Sequence, residues 1–285
     1  MIDLHCHTLH SDGTDTPEGL ALLADQVGLT ALCLTDHDTL AGIPAFLAMQ
    51  PQVRTRLLAG TEISCRYLGH SLHVLGLLVD PAHAPFQARL LEQRQAREDR
   101  NLRMVARLTE LGCPLTLEDV QAQSKTPLLS RVHFAKALAA KGHVRRAPEA
   151  FERLIGDDGP AYVTRVEPTP SEAALWIREA GGVPVVAHPG RFNGGRFPWD
   201  DAMADLQRQG LEGLEAYYGE YRASEQTYFL GLAARLGMVA TGGSDYHGSH
   251  KPGLALGRGR GGLRVPDDLL VALEARQKSG SHPAG

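Results

Sequence analysis

The chain has 285 residues, of which 43% are hydrophobic, so it is long enough to form a large α/β domain with a buried core. Its formal net charge of −4 provides no overall positive field that would attract nucleic acid. It has no apolar run near the roughly 20 residues of a membrane span, no signal-peptide layout, and four scattered cysteines without a CxxC pair. We therefore expect a cytoplasmic protein with no membrane association.

Short apolar runs and helical patterns alternate along the chain. The predicted strands are Ile2–Cys6, Thr30–Thr35, Leu57–Ala59, Leu72–Val79, Val183–Ala187, Gly213–Tyr217 and Met238–Thr241. The predicted helices start with one at Pro17, after a Thr16 N-cap, and continue with Leu40–Met49, Ser171–Ala180, Asp200–Gln209, Ser224–Leu236 and Pro266–Arg276. This alternation predicts a mainly parallel sheet covered by helices, either open or closed into a barrel.

One stretch interrupts the alternation. Residues 84–161 have helical patterns without clear strands, and they begin with a long predicted helix, Phe86–Leu111. We interpret residues 84–161 as a helical insertion into a barrel formed by residues 1–83 and 162–277. The final residues, 278–285, read KSGSHPAG and are typical of a disordered tail.

Ionisable side chains are concentrated in, or just after, the predicted strands. The first such segment, DLHCHTLHSDG at residues 3–13, contains three histidines and two aspartates. Because the carboxyl ends of parallel strands share one face of a barrel, we expect residues from distant segments to converge there. The candidates are His5, His7, Asp12, Asp36, His37, Glu62, His73, His188, Asp245 and His247.

Six histidines and three carboxylates in this set are candidate metal ligands. His5 and His7 alternate along a strand, so their imidazoles point to the same side while Cys6 points to the other. Imidazole and carboxylate groups bind zinc, manganese and iron, and nine of them suit two or three divalent ions. The alternative is a set of hydrogen-bonded core histidines, but so many buried charged groups would be costly without cations.

These segments resemble the motifs of the PHP family, which is named for polymerase and histidinol phosphatase. The matching motifs are DLHCHTLHSDG, LTDHDTLAG, GTEIS, LHVLG, AHPGR and GGSDYH, which occur in the family's order between residues 3 and 247. The resemblance is strongest to stand-alone bacterial members with a helical insertion, which act on nucleoside 3′,5′-bisphosphates or trim RNA from its 5′ end. It implies a distorted (β/α)7 TIM-like barrel with an inserted helical subdomain and a trinuclear metal centre.

The resemblance also implies how the ligands are divided among the ions. The first ion would take His5, His7, Glu62 and Asp245. Glu62 would bridge to a second ion, which His73 and His188 also bind, and the third would take Asp12, His37 and His247. Asp36 is better placed to orient an imidazole than to bind an ion.

Three further residues are candidates for binding phosphate. Arg131 and His133 lie in SRVHFA, and close relatives carry a similar Ser-Arg-x-His-Phe sequence. Arg191 follows His188 closely, and the planar guanidinium of arginine matches the oxygens of a phosphate. The alternative for both arginines is a surface salt bridge.

The expected activity is hydrolysis of nucleotide phosphate esters, most of all nucleoside 3′,5′-bisphosphates, by a metal-bound hydroxide. Arg131 and Arg191 would stabilise the developing charge, and His133 or the third ion would assist the leaving group. The alternatives are a 5′-3′ exoribonuclease acting on short 5′-phosphorylated RNA, a histidinol-phosphate phosphatase, an amidohydrolase, and a non-catalytic metal-binding domain. The expected partner is a nucleotide or short oligonucleotide substrate, and the sequence indicates no stable protein partner.

Overall fold

The chain divides into two units. This computed structural model describes residues 1–124, 126, 128–156, 158–195 and 198–280. The first unit is Met1–Leu90 together with the chain from Glu167 onward, and the second is Leu91–Val166. The second unit begins seven residues after the predicted insertion (91 against 84) and ends five residues after it (166 against 161).

Seven strands form the sheet of the first unit, and they lie in the sheet in chain order. They are β1 (Ile2–Asp3), β2 (Ala31–Leu34), β3 (Arg56–Tyr67), β4 (His70–Leu77), β5 (Val183–Val186), β6 (Gly213–Tyr218) and β7 (Val239–Gly243). The backbone N–H of Leu4 donates to the carbonyl of Gly242, which places the first strand beside the last. The sheet is therefore nearly closed, which confirms the predicted TIM-like barrel.

Strand direction departs from the parallel pattern at β4. This strand is antiparallel to both β3 and β5, whereas the other neighbouring pairs are parallel. β3 and β4 form a hairpin across Leu68 and Gly69, which both have positive φ as a tight two-residue turn requires. The predicted third strand, Leu57–Ala59, is thus only the beginning of a 12-residue strand that the hairpin extends.

Helices cover the barrel on its outer side. They are α1 (Pro17–Val27), α2 (Ile43–Ala48), α7 (Pro170–Glu179), α8 (Trp199–Arg208), α9 (Ala223–Leu236) and α10 (Asp268–Gly280). The Thr16 hydroxyl caps α1 by accepting the Gly19 N–H, as its sequence predicts. Apolar faces of the helices pack on the strands, for example Leu20, Ile177 and Leu232, all of which are buried.

The regular elements that the structure describes in the second unit are all helices, joined by turns and loops. Its elements are the greater part of α3 (Ala84–Glu110), then α4 (Leu117–Gln121), α5 (Arg131–Ala140), α6 (Ala147–Ala150) and a π-helical turn (Phe151–Ile155). A separate hydrophobic core holds it together, with Leu108, Phe134, Leu138 and Ile155 fully buried.

The chain end differs from the predicted tail, 278–285. Helix α10 continues to Gly280, so the first three residues of that segment are helical. The remaining five, 281–285, lie outside the described residues. Over the part of the chain that the structure covers, no helix has both the length and the apolar character needed to cross a membrane.

Candidate metal centre

Backbone pairing beyond the strand ends brings the candidate ligands together. After β1, Asp245 N donates to His5 O and His7 N donates to Tyr246 O, so two ligand segments run side by side. After β2, Glu62 N donates to the carbonyl of Asp36, which places the loop that contains Asp36 and His37 beside β3. All nine predicted ligands fall within four overlapping groups of donor atoms, each compact enough to hold an ion.

His5, His7 and Asp245 form one of these groups, and Glu62 adjoins it. His5 Nε2, His7 Nε2, Glu62 Oε2 and Asp245 Oδ1 are separated pairwise by 3.1 Å (His5–His7), 3.3 Å (His5–Glu62), 3.5 Å (His5–Asp245), 3.2 Å (His7–Glu62) and 3.3 Å (His7–Asp245). Four ligands at zinc-like bond lengths of about 2.1 Å in a tetrahedron would lie about 3.4 Å apart. The five separations given above are close to this value, so these donor atoms are spaced as the ligands of a cation are.

The two carboxylate oxygens of Glu62 face different imidazoles. Oε2 is the oxygen directed at His5 and His7, and it is also 3.1 Å from His37 Nδ1. Oε1 lies 2.8 Å from His73 Nδ1 and 2.9 Å from His188 Nε2. This arrangement suits a carboxylate that bridges two ions.

A third group lies around Asp12. Its Oδ1 is 3.1 Å from His247 Nε2, and its Oδ2 is 3.6 Å from His37 Nε2. His7 Nδ1 is also near, at 3.7 Å from Asp12 Oδ1. The side chains of Asp12 and His73 are 26% and 27% exposed, so the site is open to solvent at both of these residues.

The backbone is strained at two of the candidate ligands. His188 and Asp245 have φ angles of 27° and 55°, a region that side-chain-bearing residues seldom occupy. Such strain is concentrated at functional sites, where it aims a side chain that ordinary geometry would direct elsewhere.

The electrostatics favour deprotonated ligands at several positions. Burial raises the pKa of Glu62, but neighbouring His37, His73 and His5 outweigh this and hold it well below its usual range. Burial also opposes ionisation of Asp12 and Asp245, yet His247 beside the former and Lys251 beside the latter keep both pKa values well below normal. The carboxylates of Asp12 and Asp245 therefore remain ionised near neutral pH.

Two of the histidines differ sharply in proton affinity. Burial lowers the pKa of His37 to about 3, despite the attraction of Glu62 and Asp12. Burial also lowers the pKa of His7, but hydrogen bonds with Asp245 and Glu62 and the charge of Asp12 reverse the effect and raise it to about 9. His7 therefore holds a proton that a cation would displace.

A divalent cation fits these residues, because the centre has proton-acceptor atoms that the protein alone does not satisfy. Among the described residues, His37 Nδ1 is a buried atom that makes no hydrogen bond, although it lies 3.1 Å from Glu62 Oε2. His5 Nε2 and His7 Nε2 face each other at 3.1 Å, so at least one of these two nitrogens must carry a proton if no cation lies between them.

Asp36 supports the loop that carries His7. Its Oδ1 accepts hydrogen bonds from Thr8 N at 2.8 Å and Ser11 Oγ at 2.5 Å, and its Oδ2 accepts one from the Thr8 hydroxyl. Ser11 Oγ is in turn 3.4 Å from His7 Nδ1. Ser11 therefore contacts both Asp36 and the His7 imidazole.

Sequence reasoning missed three residues that contact the ligands. Glu215 is fully buried in β6, and its Oε1 lies 3.0 Å from His5 Nδ1. Tyr218 and Lys251 both donate to Asp245 Oδ2, at 2.8 Å and 2.5 Å. A signal for Glu215 existed, since it is a charged residue inside the otherwise uncharged strand GLEAYY.

Of the predicted phosphate-binding residues, Arg191 lies in the first unit. It forms an ion pair with Glu220, which is the salt-bridge alternative, and it donates to the Tyr218 hydroxyl at 2.9 Å. Its side chain is 49% exposed. Through Tyr218 it is two hydrogen bonds from the Asp245 carboxylate.

Arg131 and His133 lie in the first turn of α5, in the second unit. Arg131 donates to the carbonyl of Ile155 at 3.4 Å, and its guanidinium stacks over Tyr162 at 5.3 Å. His133 is buried, and its Nδ1 accepts the Ser130 backbone N–H at 3.1 Å, which caps the helix.

A PHP domain model matches residues 3–150 of the chain. Among curated proteins, the chain is similar to the 3′,5′-nucleoside bisphosphate phosphatase of Chromobacterium violaceum, at 32% identity over 276 residues, which cover 96% of this chain and 97% of that protein. It is also similar to the 5′-3′ exoribonuclease Rnm of Escherichia coli, at 31% identity over 261 residues, which cover 90% of this chain and 88% of that one.

The chain is also similar to a solved structure. A chain from Bifidobacterium adolescentis, assigned as a metal-dependent phosphoesterase, superposes with a TM-score of 0.79. The two chains are 32% identical, and the match covers 96% of each. The resemblance found in the motifs is thereby confirmed: the chain belongs to the PHP family and is a metal-dependent phosphoesterase.

Proposed function

We propose that nine residues hold two or three divalent ions, with manganese, iron or zinc as the candidates. The first ion would bind His5, His7, Glu62 and Asp245, and Glu62 would bridge to a second ion bound by His73 and His188. The third would bind Asp12, His37 and His247. The short separations among the donor atoms of His5, His7, Glu62 and Asp245, 3.1–3.5 Å in five pairs, are the observation that carries this proposal.

We further propose that the substrate is a nucleoside 3′,5′-bisphosphate, from which one phosphate is removed by hydrolysis. The similarity to the Chromobacterium violaceum phosphatase extends over 97% of that protein, so it includes both the barrel and the helical unit. Divalent ions bound here would acidify water and neutralise the oxygens of the phosphate.

Side chains of the protein would bind the substrate and donate a proton to its leaving oxygen. We assign phosphate binding to Arg131, His133 and Arg191, whose cationic or N–H donor groups suit phosphate oxygens. Because His133 Nδ1 accepts the Ser130 N–H, the proton of the neutral ring is on Nε2. That nitrogen is the one we propose to donate a proton to the leaving oxygen.

The direct test is phosphate release from adenosine 3′,5′-bisphosphate. Chelator-treated protein should be inactive and should recover activity with manganese, iron or zinc, whereas His5→Ala and Asp245→Ala should remain inactive after reloading. His10→Ala is the matched control, since His10 lies in the same motif but in none of the four donor groups. Full activity in the stripped protein would overturn the proposal.

A 5′-3′ exoribonuclease is the second candidate, because the similarity to Rnm of Escherichia coli covers 90% of this chain. The net charge of −4 favours short oligonucleotides over long RNA, whose binding depends on many basic contacts. Comparing the kcat/KM for adenosine 3′,5′-bisphosphate with that for a 5′-phosphorylated oligomer separates the two activities. Both curated relatives are named for phosphoester cleavage, which favours this chemistry over the amidohydrolase and non-catalytic alternatives.

A further inference from the structure

Glu215 is a buried carboxylate with two well-defined partners. It lies in β6 at 0% exposure, between the buried residues Leu214 and Ala216. Its Oε1 is 3.0 Å from His5 Nδ1, and its Oε2 accepts the backbone N–H of His188 at 2.7 Å. Burying a carboxylate in an apolar strand costs free energy of folding, so a glutamate at this position indicates a functional role.

We propose that Glu215 is a positioning residue that fixes His5 and His188 for metal binding. The proposal rests on the ligand assignment made above. A carboxylate oxygen at Nδ1 of His5 selects the ring form that carries its proton there, which leaves the lone pair of Nε2 available. Nε2 is the atom that faces His7, Glu62 and Asp245.

The second oxygen acts on the backbone of another ligand. His188 has its φ at 27°, and the hydrogen bond to Glu215 Oε2 holds this unusual conformation. The imidazole is thereby directed so that its Nε2 is 2.9 Å from Glu62 Oε1. His5 belongs to the first proposed ion and His188 to the second, so one carboxylate sets the geometry of both.

This geometry requires two acceptors, which a glutamine cannot supply. In Glu215→Gln the single amide oxygen would accept either the His188 N–H or the His5 Nδ1–H, and the amide NH2 would face the other donor. If the oxygen stays with His188, the His5 proton must move to Nε2, where it blocks the cation. If it turns to His5, the strained backbone of His188 loses its acceptor.

The experiment compares zinc binding by wild type, Glu215→Gln and the matched control Glu212→Gln. Glu212 precedes the same strand and belongs to none of the donor groups. Competition with a chromophoric chelator should show zinc affinity about 10–100-fold weaker for Glu215→Gln, and unchanged for Glu212→Gln. Equal affinity in all three proteins would overturn the proposal.

A spectroscopic measurement on the wild type makes the test independent of whether the variant folds. Long-range ¹H–¹⁵N correlation on the zinc-loaded protein, with the His5 signal assigned through His5→Gln, should show a protonated Nδ1 and a zinc-bound Nε2. Zinc bound through Nδ1 would overturn the role of Glu215 while leaving the metal centre intact. A wild type that binds none of zinc, manganese and iron would instead overturn the ligand assignment itself.

Discussion

At the scale of single residues, the site depends on carboxylates whose two oxygens contact different groups. Asp245 directs Oδ1 toward His5, His7 and His247. Its Oδ2 is occupied by the Tyr218 hydroxyl and the Lys251 ammonium group. These donors hold the carboxylate so that one oxygen remains available to a cation, as supporting contacts do at metal sites.

Glu62→Gln should have the largest effect of any single substitution at the centre. Glutamine is neutral and has only one acceptor oxygen, so it cannot serve two groups of imidazoles. We expect the ratio of metal to protein, measured by elemental analysis, to fall by at least one ion, and phosphate release to fall by at least about 100-fold. An active variant with the wild-type metal content would show that Glu62 does not bridge ions.

Tyr218→Phe should weaken metal binding moderately. It removes one of the two donors to Asp245 Oδ2, a hydrogen bond to a charged group worth about 1.5–3 kcal/mol. Lys251 remains, so we expect about tenfold weaker zinc affinity in a calorimetric titration. Tyr228→Phe is the control, because Tyr228 also donates to an aspartate, Asp200, but lies outside the donor groups. Equal losses in both variants would contradict the role of Tyr218.

The same residues show what sequence reasoning can and cannot find. The candidate ligands were predictable because histidine and carboxylate are unusual residues at strand ends, and six such segments occur in one chain. The charge of Glu215 inside an apolar strand was a signal, but the partners of Glu215 and Lys251 could not be predicted, because they depend on which atoms lie opposite these side chains. Such a property exists only once the side chains are packed.

At the scale of elements, the antiparallel β4 explains how His73 reaches the centre. The expectation that ligands lie at carboxyl ends of parallel strands is wrong for this residue, which lies within β4 opposite Ser64. Glu62 is opposite Leu75 in the same ladder, so Glu62 and His73 are diagonal neighbours on one face of the hairpin. Apolar patterning marks a strand but not its direction, and only the turn at Leu68 and Gly69 carried that information.

The contact of β7 with the segment after β1 should tolerate no side chain. A Cβ at Gly243 would lie 2.4 Å from His5 Cβ, whereas one at Gly69, in the hairpin turn, would meet nothing. We expect Gly243→Ala to lower the free energy of unfolding by about 3 kcal/mol through overpacking, and Gly69→Ala by about 1 kcal/mol through its positive φ. Denaturant unfolding measures both losses.

The zinc affinities of these two glycine variants should also differ. Gly243→Ala displaces His5, so its zinc affinity should fall, whereas Gly69→Ala should bind zinc as the wild type does. A Gly243→Ala protein with unchanged zinc affinity would show that His5 is not held by its contact with β7.

At the scale of the whole molecule, the barrel concentrates buried ionisable groups at one centre. Asp12, Glu62 and Asp245 remain anionic because imidazoles and Lys251 surround them, and His7 is protonated at neutral pH without metal. In the metal-free protein, bound protons therefore neutralise part of the negative charge that cations would otherwise neutralise. Metal binding must release those protons, which links the stability of the fold to pH.

The difference in thermal stability between metal-loaded and metal-stripped protein should grow as the pH rises from 6.5 to about 9. The folded pKa of His7 is raised from 6.5 to about 9, so its protonation stabilises the stripped fold fully below pH 6.5 and is lost as the pH rises through about 9. Over the same range a cation competes with fewer protons, so its affinity rises about tenfold per pH unit for each proton released. Thermal unfolding with excess manganese or excess chelator, at several pH values across this range, measures the difference. In His7→Gln the residual difference should depend less steeply on pH, and a wild-type difference that stays constant with pH would contradict the displacement of a proton from His7.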